Sequence, residues 1–327
     1  MNNAMLENNN LFSEIMKIDQ IIVGIASNAG EELVNEVIQH ISKAGGKRLR
    51  PLLTIMSAKI FENCNENTIL LAAAVEFIHT ATLLHDDVID KSSVRRGLST
   101  ANYIWGDKTS ILVGDYLFSQ AFKLMVKTNS LEALSSLAKA SSLISRAEIT
   151  QLRLIGELNI SLSDYIKIIT EKTAVLFAAA CKVGAISAKS RQNYTQYLYN
   201  YGLHFGIIFQ IIDDYLDYFG KKESIGKQIG IDFFENKITL PIILLINNCN
   251  EVERKFLNTV FRKECNKGFN ELNLLLELLI KYGINKKIES IVNEYFDKCL
   301  DSLQNLPQNE ITDCMRLITQ DSLKRIV

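Results

Sequence analysis

Residues 72–90 read AAAVEFIHTATLLHDDVID, an apolar run that ends in three aspartates. The stretch from Ala72 to Leu84 carries a helical pattern, and Asp86 and Asp90 follow it four residues apart. That spacing is about 6 Å of rise and puts both carboxylates on one face. His79 and Leu83 extend the face backwards in an i, i+4, i+7, i+11 pattern. Carboxylates on so apolar a helix are costly unless something positive neutralises them.

Further along, FGIIFQIIDDYLD (Phe205 to Asp217) repeats the arrangement, with Gly206, Gln210, Asp213 and Asp217 sharing a face and Asp214 beside them. A solvated acidic helix end would explain one such cluster. Two of the same spacing, both on apolar helices, imply a strongly cationic occupant between them. Divalent ions holding a phosphorylated substrate meet that demand. Oxygen donors without interleaved Cys or His favour Mg²⁺ over Zn²⁺, and Mg²⁺ typically takes one or two carboxylates plus phosphate oxygens and water.

Composition agrees with helices. The 327 residues contain only 3 Pro and 16 Gly against 47% hydrophobic residues, which disfavours a turn-rich β architecture. A net charge of -1 gives no support for a nucleic-acid surface. The 6 cysteines form no CxxC pair, as expected of reduced thiols in a cytoplasmic protein. The first residues lack the blocks of a secretory signal, and the greasiest stretches are broken by Glu76, His79, Lys182 or Pro241, so no transmembrane span is expected.

The pattern predicts helices over Leu11–Ala44 (broken near Asn28–Gly30), from Leu52, and over Asn67–Asp90, Thr109–Lys127, Ser130–Leu158, Ser163–Ser187 and Gln192–Phe219. Lys91–Gly106 and Gly220–Lys237 read as connections, and further amphipathic helices follow Pro241. The expectation is one all-α domain over residues 1–327, a single large helical bundle around a central cavity, with residues 1–10 frayed.

Basic residues gather at the ends of these elements. Lys47, Arg48 and Arg50 adjoin two glycines, where backbone can approach an anion closely. Arg95 and Arg96 follow the first acidic cluster, and Lys172, Lys227 and Lys237 are further candidates. Each alone reads as a surface charge. Together they suggest two diphosphate sites, one metal-bound and one held by Lys and Arg, with His79 able to donate to the second.

The segments GGKRLRP (Gly45 to Pro51), EFIHTATLLHDDVIDKSSVRRG (Glu76 to Gly97), GDYLFSQAF (Gly114 to Phe122), EKTAVLF (Glu171 to Phe177), FQIIDDYLD (Phe209 to Asp217) and GKQIGIDFFENKITLP (Gly226 to Pro241) resemble the trans-isoprenyl diphosphate synthases. More narrowly, they are similar to the bacterial long-chain, octaprenyl-type synthases. The resemblance implies the isoprenoid-synthase bundle, a Mg²⁺-dependent elongation of an allylic diphosphate such as farnesyl diphosphate by isopentenyl diphosphate, and a homodimer. It implies that Asp86 and Asp90 bind two Mg²⁺ and Asp213 a third, with Asp214 and Asp217 in support. Lys47, Arg50, His79 and Arg96 would hold isopentenyl diphosphate. Arg95, Lys172 and Lys227 would grip the allylic diphosphate, with Lys237 nearby. Thr173 and Gln210 would direct oxygen dipoles toward the developing allylic cation.

By the same resemblance, Ala81 and Thr82 would line the tunnel for the growing chain, where short-product members carry aromatic residues. Small residues there point to a long product, eight isoprene units being the expectation, for a respiratory quinone tail. Phe118, Phe122, Leu124 and Met125 are candidates for a deeper floor. A class I terpene cyclase would show Asn, Ser or Thr with Glu in the second cluster and would leave Lys47 and Arg50 without purpose. A non-catalytic partner subunit would show eroded Asp or basic positions, and none is eroded.

Overall fold

Capping residues and helix-breaking turns mark out the elements. A computed structural model describes residues 11–220, 229–262 and 267–326, and it is all-α apart from one short hairpin. The helices are α1 (Leu11–Ser27), α2 (Glu32–Lys43), α3 (Leu49–Lys59), α4 (Glu66–Ile89), α5 (Ala101–Trp105), α6 (Asp107–Lys127), α7 (Leu131–Arg153), α8 (Leu162–Ile169), α9 (Val175–Ser187) and α10 (Gln192–Phe219). Then come α11 (Ile231–Phe234), α12 (Leu240–Ile246), α13 (Glu251–Val260), α14 (Phe269–Lys281), α15 (Ile284–Gln304) and α16 (Glu310–Leu323). They fall into two units. One takes residues up to 141 with 176–202 and 300–318, and the other takes 142–175, 203–299 and the residues from 319.

Helix α4 organises the first unit. Asn65 starts it with a capping box: its side chain accepts the Thr68 N–H, and the Thr68 hydroxyl accepts the Asn65 N–H. Residues Leu71 to Ile78 are buried all round. Phe77, Ile78 and Leu84 are at most 2% exposed, each worth about 1.5–3 kcal/mol of apolar burial. Helix α6 is its main partner. A Cβ on Gly114 of α6 would sit 2.3 Å from His85 Nε2, so glycine lets the His85 ring lie against α6 as it does. Among the described residues α4 alone is long and apolar enough to cross a membrane, yet 67% of that window is buried in the protein. Beyond Ile78 the helix becomes one-sided, leaving His79, Thr82, Leu83, Asp86 and Asp90 half-buried.

The connection after α4 is more ordered than the sequence suggests. Val94–Arg95 and Leu98–Ser99 pair antiparallel, joined by Arg96-Gly97. Both turn residues have positive φ, 52° and 78°, as a two-residue hairpin turn of the right twist demands. Arg96 holds that conformation without glycine's freedom, at a cost of about 1–2 kcal/mol.

In the second unit, α8 continues into a π segment, Thr170–Ala174. The reading of an unbroken helix to Leu158 overshoots: α7 stops at Arg153, and Gly156 at φ 77° donates its N–H to Asn236 O. Helix α10 begins and ends where the periodicity places it. The short α11 lies inside a stretch expected to be loop.

Candidate active site

In the first unit the loop before α3, the turns of α4 around His79 and the hairpin turn gather a cluster of cations. Arg48 has a left-handed φ of 47° and hydrogen-bonds the buried Glu76, and also lies 3.2 Å from Asp19. Arg50, the second residue of α3, lies 3.1 Å from His79 Nε2 and stacks over the Phe177 ring at 4.1 Å. A guanidinium only donates, so His79 Nε2 accepts and its proton must sit on Nδ1. Burial, reinforced by Arg50, Arg96, Arg95 and Arg48, holds the imidazole well below its ordinary pKa. His79 is therefore neutral near pH 7, with an Nδ1–H left to offer.

Arg96 joins this cluster and donates to Gly45 O. A Cβ on Gly46 would meet its guanidinium at 2.8 Å, so Gly46 keeps that approach open. Burial brings Arg50 down to about 10, and Arg96 pushes the same way. Its Nε is buried and has no hydrogen-bond partner among the described residues. A buried donor left unsatisfied costs about 1–3 kcal/mol, so an incoming oxyanion would be stabilised here. Lys47 lies exposed on the same loop.

The first acidic cluster divides its labour. Asp86 and Asp90 occupy the half-buried face, while Asp87 is 5% exposed and takes the Arg95 Nε at 2.8 Å. Arg95 retains four further N–H donors for another ligand.

In the second unit Thr173 Oγ1 donates to Gln210 Oε1 at 2.7 Å. Gln210 Nε2 donates to Asp214 Oδ1 at 2.7 Å, and Tyr165 OH donates to Asp214 Oδ2 at 2.6 Å. Asp214 is 6% exposed, and burial raises its carboxyl to about 7, the Asp213 and Asp217 charges adding to the rise. Asp213 is exposed on α10. Asp217 accepts the Ile231 and Asp232 backbone N–H groups, both at 3.1 Å, and so ties α11 to α10. Lys172 Nζ lies 2.9 Å from Glu148 and 2.5 Å from Gln151 Oε1. Lys237 pairs with Glu235 at 2.7 Å. Lys227, and the frayed ends expected at residues 1–10, lie outside the described residues.

Among the described residues no three His, Cys, Asp or Glu side chains converge as a self-sufficient metal cage. The donors present are paired carboxylates one turn apart, which suit an ion completed by water and phosphate oxygens. The set fits Mg²⁺.

Three groups escaped sequence reasoning: Glu76 against Arg48, the Glu148–Gln151 pair on Lys172, and Tyr165. Glu76 had a signal, being the lone acid in residues 72–84. Tyr165 had none, because its partner Asp214 is 49 residues away.

The chain as a whole is similar to known proteins. The polyprenyl synthetase family model matches residues 31–277. Octaprenyl diphosphate synthase of Escherichia coli (strain K12) is 35% identical over 280 residues, 86% of each chain. The crystal structure of a decaprenyl diphosphate synthase from Rhodobacter capsulatus superposes with a TM-score of 0.94 at 37% identity, covering 99% of both chains. A polyprenyl synthase from Caulobacter crescentus CB15, complexed with calcium and isoprenyl diphosphate, gives 0.91 at 38% identity over 99% of this chain and 98% of its own. A family model over most of the chain and an all-α frame shared nearly end to end with these synthases leave one assignment: the chain belongs to the polyprenyl synthetase family.

Proposed function

We propose that the protein condenses isopentenyl diphosphate onto an allylic diphosphate, farnesyl or similar, to build a long all-trans polyprenyl diphosphate. The observation that carries this reading is the cluster of Arg50, His79 and Arg96, on and beside the helix whose next turns present Asp86 and Asp90. Lys47, Arg50, His79 and Arg96 hold the diphosphate of isopentenyl diphosphate, His79 through Nδ1–H. Arg95, Lys172, Lys227 and Lys237 hold the allylic diphosphate. Mg²⁺ on Asp86, Asp90 and Asp213, two to three ions per site, would supply charge that stabilises the departing diphosphate. Asp214 and Asp217 brace Asp213 through their hydrogen bonds. Thr173 and Gln210 turn oxygen toward the positive charge that develops on the allyl group. Each unit is assembled from interleaved sequence segments, and the reading takes residues 1–327 as a single catalytic domain.

Small side chains at Ala81 and Thr82 favour a long product, with eight units the preferred length and a quinone side chain the preferred use. A cytoplasmic location is part of the same reading, and it is supported by the free thiols of Cys64, Cys181, Cys249, Cys299 and Cys314 among the described residues.

The testing experiment is incubation of purified protein with labelled isopentenyl diphosphate and farnesyl diphosphate, with Mg²⁺ and with chelator, followed by sizing of the products. A Mg²⁺-dependent ladder ending near eight units is expected. No incorporation by folded protein would overturn the reading.

A homodimer is proposed on a second ground. Ile111, Leu112, Phe122 and Val126 lie on one side of α6 and are 42%, 66%, 45% and 62% exposed. So large an apolar stripe on a helix calls for a cover. Light scattering should return twice the 36.9 kDa chain mass, and Leu112→Glu with Val126→Glu should return the monomer. A monomeric wild type would refute the dimer.

His79 gives a pH signature. Its folded pKa lies below the unfolded value of about 6.5, so between the two the unfolded chain binds more protons. The stability is present above about pH 6.5 and is lost as pH falls through that window. His79→Gln should flatten the fall in Tm between pH 7 and 5 relative to wild type, and should raise KM for isopentenyl diphosphate about tenfold. Parallel Tm–pH curves for the two proteins would contradict the neutral, buried imidazole.

A further inference from the structure

We infer that Tyr165 is a positioning residue for the proposed reaction, acting through Asp214 and Gln210 to set the direction in which Thr173 presents its hydroxyl oxygen. The inference rests on the prenyl-transfer reading and adds a residue that the acidic and basic motifs do not contain.

The direction of each hydrogen bond follows from chemistry. Tyr165 is 3% exposed and its hydroxyl donates to Asp214 Oδ2 at 2.6 Å. Asp214 Oδ1 accepts Gln210 Nε2 at 2.7 Å. In its ionised form Asp214 accepts at both oxygens and so fixes the Gln210 amide, whose two ends are otherwise interchangeable. Gln210 Oε1 is thereby turned to Thr173, and the single Thr173 hydroxyl hydrogen is committed to it at 2.7 Å. Only lone pairs remain on the far side of Thr173 Oγ1. A hydroxyl facing a developing cation stabilises it through lone pairs and opposes it through its hydrogen.

The helix geometry serves this relay. Thr173 lies in the π segment Thr170–Ala174. A π turn takes up one extra residue, so the eight-residue separation from Tyr165 acts as about seven, two full turns. Tyr165 and Thr173 thus share a face, and both meet α10, where Gln210 and Asp214 stand one turn apart. A tyrosine serving only as core filler would need no donor aimed at a buried carboxylate.

The test is a double-mutant cycle of Tyr165→Phe and Thr173→Ala, read as steady-state incorporation of isopentenyl diphosphate onto farnesyl diphosphate with Mg²⁺. Tyr165→Phe is expected to lower kcat about ten- to a hundredfold, leaving both KM values within about twofold. In the Thr173→Ala background the same change should alter kcat less than about twofold, because the relay is already cut. Circular dichroism sets the assay temperature, so that all four proteins are compared folded. Unchanged kcat in Tyr165→Phe, an effect confined to KM, or full additivity with Thr173→Ala would overturn the inference. A wild type that incorporates nothing would overturn the prenyl-transfer reading, and the inference with it.

Discussion

Asp86→Asn should lose at least about a thousandfold in kcat/KM while Asp87→Asn, one residue away, should lose mainly stability. The two carboxylates leave α4 about 100° apart. Asp86 is half-buried on the face that carries Asp90 and His79, where removing one negative charge would weaken the proposed hold on Mg²⁺ and on the diphosphate. A thousandfold is roughly 4 kcal/mol of transition-state stabilisation, in the range of an electrostatic group aimed at the departing charge. Asp87 faces inward at 5% exposure with the Arg95 Nε on its Oδ1 at 2.8 Å. Breaking that pair leaves a partly exposed guanidinium unmatched, a cost of about 1–3 kcal/mol after allowance for solvent. Thermal melts and kcat/KM on the two variants separate the roles. Equal catalytic losses with equal Tm values would mean that the helix face does not divide the cluster.

That division shows how far the sequence carries. The 3.6-residue period puts Asp86 with Asp90 and Asp213 with Asp217, and in both pairs the intervening Asp turns inward: Asp87 to Arg95 and Asp214 to Tyr165. The fold was legible for the same reason. With little Pro or Gly to interrupt them, apolar stripes of helical period mark long helices, and Gln192–Phe219 matches at both ends. What failed was set by contacts distant in sequence. Leu154 to Leu158 continues the apolar spacing of α7, but Gly156 takes a left-handed φ and bonds Asn236 instead. The Val94–Ser99 hairpin is too short to show alternation, and its Arg96-Gly97 turn was its only mark. The π segment has no sequence signature, although it orients Lys172 and Thr173. Residue types announced the chemistry, then, but their bonding was fixed by tertiary neighbours.

Product length is where a local substitution should show most plainly. Ala81→Phe is expected to shorten the product ladder by several isoprene units while the first condensations proceed. Position 81 lies about 7.5 Å before Asp86 along the axis of α4, so an aromatic ring there would obstruct the chain soon after it leaves the diphosphate. The structure adds a cost. Ala81 is fully buried, at 0% exposure, and Phe at a packed site overfills it by about 1–3 kcal/mol, which should lower Tm by several degrees. Thr82 is half-buried, beside Asp86 on the more open face, and its hydroxyl donates to His79 O at 2.8 Å. Thr82→Phe should therefore shorten the product with the smaller loss of stability. Of the deeper candidates, Leu124 and Met125 are buried at 4% and 2%, whereas Phe122 is 45% exposed, on the stripe assigned to the dimer. Phe122→Ala should accordingly shift assembly more than length. Chromatographic sizing of the products of all three variants, with Tm measured beside it, decides the matter. Unchanged ladders in both Ala81→Phe and Thr82→Phe would remove the two positions from the path of the chain.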